Sequence, residues 1–144
     1  MKSIGMGKRS YIGPRQGFGE IMPEFILHAT SQTRWAAALE TGSYSADSLL
    51  LEGFIHCSTT AQILHVVNTF FPGQHGLVLL VLEPGRLTAQ LRWEPGLDLE
   101  QELFPHVYGA INLDAVVDVI ELETNANGKF LMPESLKPAE AGEG

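Results

Sequence analysis

The chain has 144 residues, of which 44% are hydrophobic and 18% are charged, so it is expected to form one globular domain rather than a disordered chain. Its single cysteine, Cys57, excludes an internal disulfide framework and an all-cysteine metal site. One cysteine also fits a reducing compartment, so we expect a cytoplasmic protein. No apolar run approaches the ~20 residues that a membrane helix needs, and no membrane partner is expected.

The net charge of −8 is unevenly distributed along the chain. Four of the nine cations lie before residue 20, so the rest of the chain is strongly acidic. Proteins that bind long nucleic acids present a broad basic face, which this acidic part does not provide. One or two well-placed arginines are nevertheless enough to bind a phosphate. We therefore expect a small nucleotide-like ligand and no extended nucleic acid.

Composition divides the chain into three parts. Residues 1–22 hold five glycines and show no sustained periodicity, so we expect a disordered leader without a function. A single globular domain is expected over residues 23–134, followed by a frayed tail over residues 135–144. The sequence does not indicate the oligomeric state.

The first half of the domain alternates strands with helices. Phe25–Ala29 is predicted to be a strand, and Thr30 or Ser31 is expected to cap a helix that carries Trp35, Ala38 and Leu39 on one face and ends at Gly42. A helical turn and a second strand are predicted at residues 48–51 and 54–57. The second helix follows a capping-box pattern, and its apolar residues recur at helical spacing, namely Ile63, Val66, Val67 and Phe70.

From residue 77 onward the pattern is that of strands. Leu77–Leu82 is a continuous aliphatic run, which is typical of a central strand buried on both faces. Further strands are predicted at Ala89–Trp93, at Ala115–Glu123 and, after an Asn127-Gly128 turn, at Lys129–Met132. Residues 95–105 are interpreted as a loop. Helices first and strands later predict an α+β fold with a mainly antiparallel sheet and two main helices near the N-terminus.

Three histidines lie at unusual positions. His28 is near the end of the first strand, His56 lies within the second, and His106 lies in a compact motif interpreted as a loop. If the two strands are neighbours, His28 and His56 flank one cleft. The alternative for each histidine is a half-buried ring that bonds to a nearby carbonyl. A metal site would need three or four ligands in fixed geometry, and these histidines lack local ligand spacing.

Strand geometry separates the side chains next to His56. Neighbouring residues of a strand point to opposite faces, so we predict that His56 and Ser58 face one cavity while Cys57 is buried. An alternative is that Ser58 caps the helix that follows.

Further candidates for ligand contact are aromatic and acidic. Trp93 is a candidate for stacking on a flat ring and Glu94 for accepting hydroxyl protons, and the alternative is an exposed charge pair beside a packed tryptophan. Tyr44 and Tyr108 lie near glycines and are candidates for stacking on a ligand. No phosphate-binding glycine motif is present, so ATP hydrolysis and Rossmann-type binding are not expected.

Two motifs in combination resemble a known family. The segments Glu52-Gly53-Phe54-Ile55-His56-Cys57-Ser58 and Phe104-Pro105-His106-Val107-Tyr108-Gly109, together with His28-Ala29-Thr30 and Trp93-Glu94, are similar to the small bacterial and plant family called domain of unknown function 952. The similarity covers about residues 24–133. Members are grouped by fold with ADP-ribosyltransferases, so the resemblance implies an ADP-ribosylation-like fold, in which split, curved sheets bind NAD in a cleft.

The resemblance also implies an activity and a set of site residues. It implies ADP-ribosyl transfer or NAD cleavage, with NAD as substrate and His28, His56 and a carboxylate, either Glu94 or Glu121, as catalytic residues. The implied ligand-binding residues are Thr30, Tyr44, Ser58, Trp93, His106 and Tyr108. Two alternatives remain open, namely a nucleotide-binding module without turnover and a histidine-based metal-dependent enzyme.

Overall fold

The computed structural model describes residues 25–96 and 101–137. The expectations for residues 1–22 and for most of the tail therefore lie outside the described residues. The helices are α1 (Gln32–Thr41), α2 (Asp47–Glu52) and α3 (Ile63–Phe70). The strands are β1 (Ile26–Ser31), β2 (Ser43–Tyr44), β3 (Ile55–His56), β4 (Leu77–Leu82), β5 (Gln90–Pro95), β6 (Leu103–Tyr108), β7 (Ile111–Asn112) and β8 (Val116–Glu121). No helix within these ranges is long and apolar enough to cross a membrane.

The first helix begins and ends where the sequence predicts. The side chain of Ser31 accepts a hydrogen bond from the backbone N–H of Arg34 at 3.0 Å, which satisfies one of the free donors of the first turn. Gly42 ends the helix at φ +97°, a left-handed conformation that glycine adopts without a steric cost. Of the three side chains predicted to share one face of α1, Ala38 is buried and Trp35 packs against the main core, whereas Leu39 is 57% exposed.

A three-stranded antiparallel sheet forms one half of the molecule, in the order β1-β4-β8. All six residues of β4 are buried, which confirms that Leu77–Leu82 is a central strand covered on both faces. One face carries Ile26, Leu80 and Leu82 and belongs to the main core. The other face carries Leu79 and packs against α3 through Ile63 and Val67, so α3 is fixed on the outside of this sheet.

The second sheet has the order β3-β6-β5 and is also antiparallel. Its inner face contributes Ile55 and Val107 to the same main core, so the two sheets share that core. Two backbone hydrogen bonds join the sheets, because Leu27 and Ser58 exchange N–H···O bonds of 2.7 and 2.8 Å. The strands and helices confirm the predicted α+β class with antiparallel sheets.

In the second half of the chain, the structure differs from the sequence prediction at two places. The motif of residues 104–109, interpreted as a loop, lies mostly in the central strand β6. Proline argues against a central strand because it has no N–H to donate, yet Pro105 pairs with Trp93 of β5 and its carbonyl accepts a hydrogen bond from the N–H of Cys57 at 3.0 Å. The Asn127-Gly128 turn is present, but it joins an isolated bridge between Thr124 and Phe130 rather than a full strand.

The variant Leu80→Ala tests how much the packing of β4 in the shared core contributes to stability. We expect Leu80→Ala to lower the free energy of unfolding by about 2–5 kcal/mol, because it removes a fully buried side chain and leaves a cavity. The matched control is Leu50→Ala, whose side chain is 88% exposed and whose replacement should change stability by less than about 0.5 kcal/mol. Urea denaturation of both variants measures the difference, and similar losses would contradict this description of the core.

Candidate functional site

A cleft of about 490 Å³ opens where β1 meets the segment after β3. Its remaining walls come from α1, β2, α2 and α3. Apolar side chains from β1 and α3 form much of the wall, and polar side chains from β1, α1, β2, α2 and β3 converge on it. These polar residues include His28, Thr30, Arg34, Tyr44, Glu52, His56 and Ser58. A cleft of this size and composition suits a small organic ligand, for which typical sites measure about 300–1,000 Å³.

His28 lies on the innermost wall of the cleft and is held by both ring nitrogens. Its Nδ1 lies 2.6 Å from the carbonyl oxygen of His56, which has only lone pairs to offer, so Nδ1 carries the proton and donates. Burial lowers the pKa of His28 from 6.5 to about 4, and the hydrogen bond to the His56 carbonyl only partly opposes that shift. His28 is therefore a neutral imidazole at pH 7, with its lone pair on Nε2.

This tautomer determines which groups donate in the hydrogen bonds next to His28. The hydroxyl oxygen of Tyr44 lies 2.8 Å from Nε2 of His28 and 2.8 Å from Oγ1 of Thr30, and a phenol has one proton. If Tyr44 donated to Thr30, Nε2 of His28 would need a second ring proton, which its low pKa opposes. Tyr44 therefore donates to His28, and Thr30 donates to Tyr44. Burial also raises the pKa of Tyr44, so the phenol keeps this proton.

A carboxylate and an imidazole meet nearer the opening of the cleft. Glu52, the last residue of α2, lies 3.0 Å from Nε2 of His56 through its Oε1. Both side chains are partly exposed, at 44% and 40%. Gly53 reverses the chain between them at φ +93°, a left-handed conformation that brings the end of α2 back over β3. The pair faces the same cleft as His28.

Strand alternation at β3 places the neighbouring side chains as predicted. His56 and Ser58 both line the cleft, and Cys57 is buried in the main core, which confirms that prediction. Burial raises the pKa of the Cys57 thiol far above its ordinary value, so it stays protonated and is not a nucleophile. Ser58 is not a helix cap, because the cap of α3 is Gln62.

A second polar cluster lies on the outer face of β5 and β6. One oxygen of Glu94 is 2.7 Å from Nδ1 of His106 and accepts the hydroxyl proton of Tyr108 at 2.7 Å. The Tyr108 and His106 hydrogen bonds lower the pKa of Glu94, and the bond to Glu94 raises the pKa of Tyr108. The guanidinium of Arg92 lies 4.3 Å above the Tyr108 ring. This cluster therefore consists of an ionised carboxylate with two donors.

A smaller pocket of about 90 Å³ connects the two clusters. It is lined by His106 and Phe54, and it shares four wall residues with the larger cleft, namely His56, Ser58, Val66 and Phe70. His56 and His106 are direct cross-strand partners, with ring centroids 5.4 Å apart. Phe54 stacks on the His106 ring at 4.1 Å. The cleft and the pocket are therefore neighbours.

The structure divides the residues that the sequence singled out into three groups. His28, Thr30, Tyr44, His56 and Ser58 line the cleft, whereas Glu94, His106 and Tyr108 form the second cluster. Trp93 packs against the main core instead, because it alternates with Arg92 and Glu94 along β5.

Sequence reasoning did not assign a role to two residues that the structure places at the site. Glu52 and Phe54 flank Gly53 in the family motif, so the motif itself was the available signal. Their positions depend on the reversal of the chain at Gly53, which spacing alone does not reveal.

The three histidines do not form a metal site. His28 uses both ring nitrogens inside the protein, and His56 and His106 each bind a different glutamate. Among residues 25–96 and 101–137, no three His, Cys, Asp or Glu side chains are placed to bind one metal ion. The arrangement therefore does not favour the metal-dependent alternative.

Fold and site define an α+β protein in which two antiparallel sheets meet beside a polar cleft of small-molecule size. The chain belongs to the family described as protein of unknown function (DUF952), whose model matches residues 29–119, and this confirms the family resemblance. It is similar to the crystal structure of protein CC0527 from Caulobacter crescentus, with 32% identity and a TM-score of 0.69 over 78% of this chain and 97% of that chain.

The solution structure of CC0527 gives a similar result, with 31% identity and a TM-score of 0.64 over 74% of this chain and 90% of that chain. No curated protein matches the chain.

The buried His28 predicts a pH dependence of stability. Because its folded pKa of about 4 is below the unfolded value of 6.5, the unfolded chain takes up a proton first as the pH falls. Stability from this residue is therefore complete above pH 6.5 and decreases by about 3 kcal/mol as the pH falls to about 4.

Urea denaturation at several pH values measures this dependence. His28→Asn does not titrate, so we expect its stability to change less steeply than that of the wild type between pH 6.5 and 4. Parallel curves for the two proteins would show that His28 is not held in the neutral form.

Proposed function

We propose that the chain shares the fold of ADP-ribosyltransferases, that its cleft binds a nucleotide of the NAD class, and that the protein cleaves the nicotinamide–ribose bond of that nucleotide. The observation that carries the proposal is the cleft itself, in which buried and mutually hydrogen-bonded polar groups face about 490 Å³ of space between two sheets. Polar groups fixed before the ligand arrives reduce the free-energy cost of ordering them on binding.

The cleft supplies different groups for different parts of the ligand. Thr30 and Tyr44 are candidates for hydrogen bonds to a ribose, and His28 acts through Tyr44, because both of its own nitrogens are engaged within the protein. His28 is therefore a positioning residue rather than the catalytic residue that the resemblance implied. Phe70 lines the cleft and is 49% exposed, which makes it available to pack against a flat ring.

Arg34 is the candidate for binding the diphosphate. It lines the cleft, and its guanidinium forms an ion pair with Asp47 at 2.8 Å. Both side chains of that pair are well exposed, and exposed pairs contribute about 0–1 kcal/mol. A phosphate, which a guanidinium binds in a bidentate manner, can therefore displace the Asp47 carboxylate.

The chemical step needs a negative group near the ribose. Breaking the nicotinamide–ribose bond builds positive charge on the sugar, and a carboxylate placed beside it stabilises the transition state. Glu52 lines the cleft and Glu94 does not, so we assign this role to Glu52 rather than to Glu94. The hydrogen bond to His56 holds the Glu52 carboxylate in place.

A specific observation also favours the second candidate, a nucleotide-binding module without turnover. Glu94, the carboxylate named as a catalytic candidate in the sequence analysis, belongs to the second cluster. His106 and Tyr108 both hydrogen-bond to one of its oxygens there. If Glu52 does not act on the sugar, the cleft retains the means to bind a nucleotide and lacks the means to cleave it.

Binding is tested by titrating the full chain with NAD and following backbone amide and histidine signals by NMR. We expect saturable shifts at the cleft residues of the wild type. We expect Arg34→Gln to bind NAD at least about tenfold more weakly than the wild type, because a charged hydrogen bond is lost. Lys129→Gln is the control, since Lys129 is an exposed cation in a turn away from the cleft. Absence of shifts at millimolar NAD would overturn both candidate functions.

Turnover is tested by measuring nicotinamide release chromatographically. We expect Glu52→Gln to slow release by about 10²- to 10³-fold while NAD binding persists, because the neutral amide no longer stabilises the developing charge. Asp118→Gln serves as a control for removing a carboxylate that does not line the cleft. If the wild type binds NAD without releasing nicotinamide, the binding module is correct and the cleavage proposal is wrong.

A further inference from the structure

The second cluster is built like a carboxylate–imidazole base. The Glu94 carboxylate accepts a hydrogen bond at 2.7 Å from Nδ1 of His106, which fixes the proton of the neutral ring on Nδ1 and leaves the lone pair on Nε2. Tyr108 bonds to the same carboxylate oxygen, and Phe54 stacks on the imidazole, so the ring is held on two sides.

Nε2 of His106 makes no hydrogen bond to the part of the chain that the structure describes. The His106 side chain is buried, and it lines the smaller pocket of about 90 Å³. An imidazole that is oriented by a carboxylate, lines a pocket and has no hydrogen bond at Nε2 within the described ranges has the geometry that a general base requires.

The position of the pocket links this base to the cleft. The pocket and the cleft share His56, Ser58, Val66 and Phe70 as wall residues. The His106 ring is 5.4 Å from the ring of His56, which itself lines the cleft. A small molecule in the pocket therefore lies next to a ligand bound in the cleft.

We propose that His106 is the general base that activates a water molecule in the smaller pocket, with Glu94 as its positioning residue, and that the protein is consequently a hydrolase of the nicotinamide–ribose bond rather than a transferase to a large acceptor. The inference rests on the proposed function. The size of the pocket favours water as the acceptor, because about 90 Å³ accommodates a few water molecules.

The step balances with water as the acceptor. The bond between the nicotinamide nitrogen and the ribose carbon breaks, and its electron pair stays with nicotinamide, which leaves neutral. The water oxygen bonds to the ribose carbon, and one water proton passes to Nε2 of His106 and then to solvent. The products are nicotinamide, ADP-ribose and a proton.

The test compares full-length variants for NAD binding and for nicotinamide release. We expect His106→Gln to bind NAD within about twofold of the wild type and to release nicotinamide about 10²- to 10⁴-fold more slowly, because the base is lost. The matched control is His75→Gln, a change of an exposed histidine in a turn, which should leave release unchanged. In water labelled with heavy oxygen, the ADP-ribose formed by the wild type should carry one labelled atom.

Two further variants separate a chemical role from a structural one. His106→Ala should be rescued by added imidazole, and Glu94→Gln should lower kcat by about tenfold or more with little change in KM, because the amide no longer orients the ring. Rescue is not expected for a residue that only packs, and this comparison remains valid if His106→Gln folds poorly.

The outcomes distinguish this inference from the proposed function. Normal release by His106→Gln, or His106→Ala that imidazole does not rescue, would overturn the role of His106 while leaving NAD cleavage intact. Unlabelled product with another acceptor attached would overturn the choice of water. Absence of release by the wild type would overturn both proposals.

Discussion

The hydrogen bond from His28 to the carbonyl of His56 is the interaction on which the site depends. It joins a side chain of one sheet to the backbone of the other, next to the two backbone bonds between Leu27 and Ser58. A buried donor without this partner would cost about 1–3 kcal/mol. The bond also fixes the tautomer of His28, and the tautomer fixes the direction in which Tyr44 and Thr30 donate.

Both polar clusters follow from the pairing of β3 with β6. His56 and His106 are opposite each other in the register, so both rings lie on the same face of the sheet, where His56 bonds to Glu52 and His106 bonds to Glu94. The two carboxylates therefore have different neighbours and different proposed tasks. Glu52 is suited to stabilise charge on a ligand in the cleft, whereas Glu94 is suited to orient an imidazole.

Local physics explains which parts of the fold the sequence predicts. Capping by Ser31 and Gly42 and the aliphatic run Leu77–Leu82 depend on neighbouring residues, and the structure bears them out. The central strand β6 was missed because Pro105 argues against it locally, and only its pairing with β3 and β5 accommodates it. Only part of the candidate site could be predicted, because its other residues are brought together by the tertiary fold. Strand alternation placed His56, Ser58 and Cys57, whereas the position of Glu52 beside His56 depends on the reversal of the chain at Gly53 and was not predicted.

The neutral Nδ1–H tautomer of His28 is the central claim, and nitrogen NMR of the histidine rings tests it most directly. Long-range ¹⁵N–¹H correlation spectra of the full chain at pH 7 should show His28 with a protonated Nδ1 and an Nε2 that only accepts a hydrogen bond. The same pattern should persist at pH 5, because the pKa of His28 is about 4. A proton on Nε2 at pH 7, or titration of His28 near 6.5, would contradict the account.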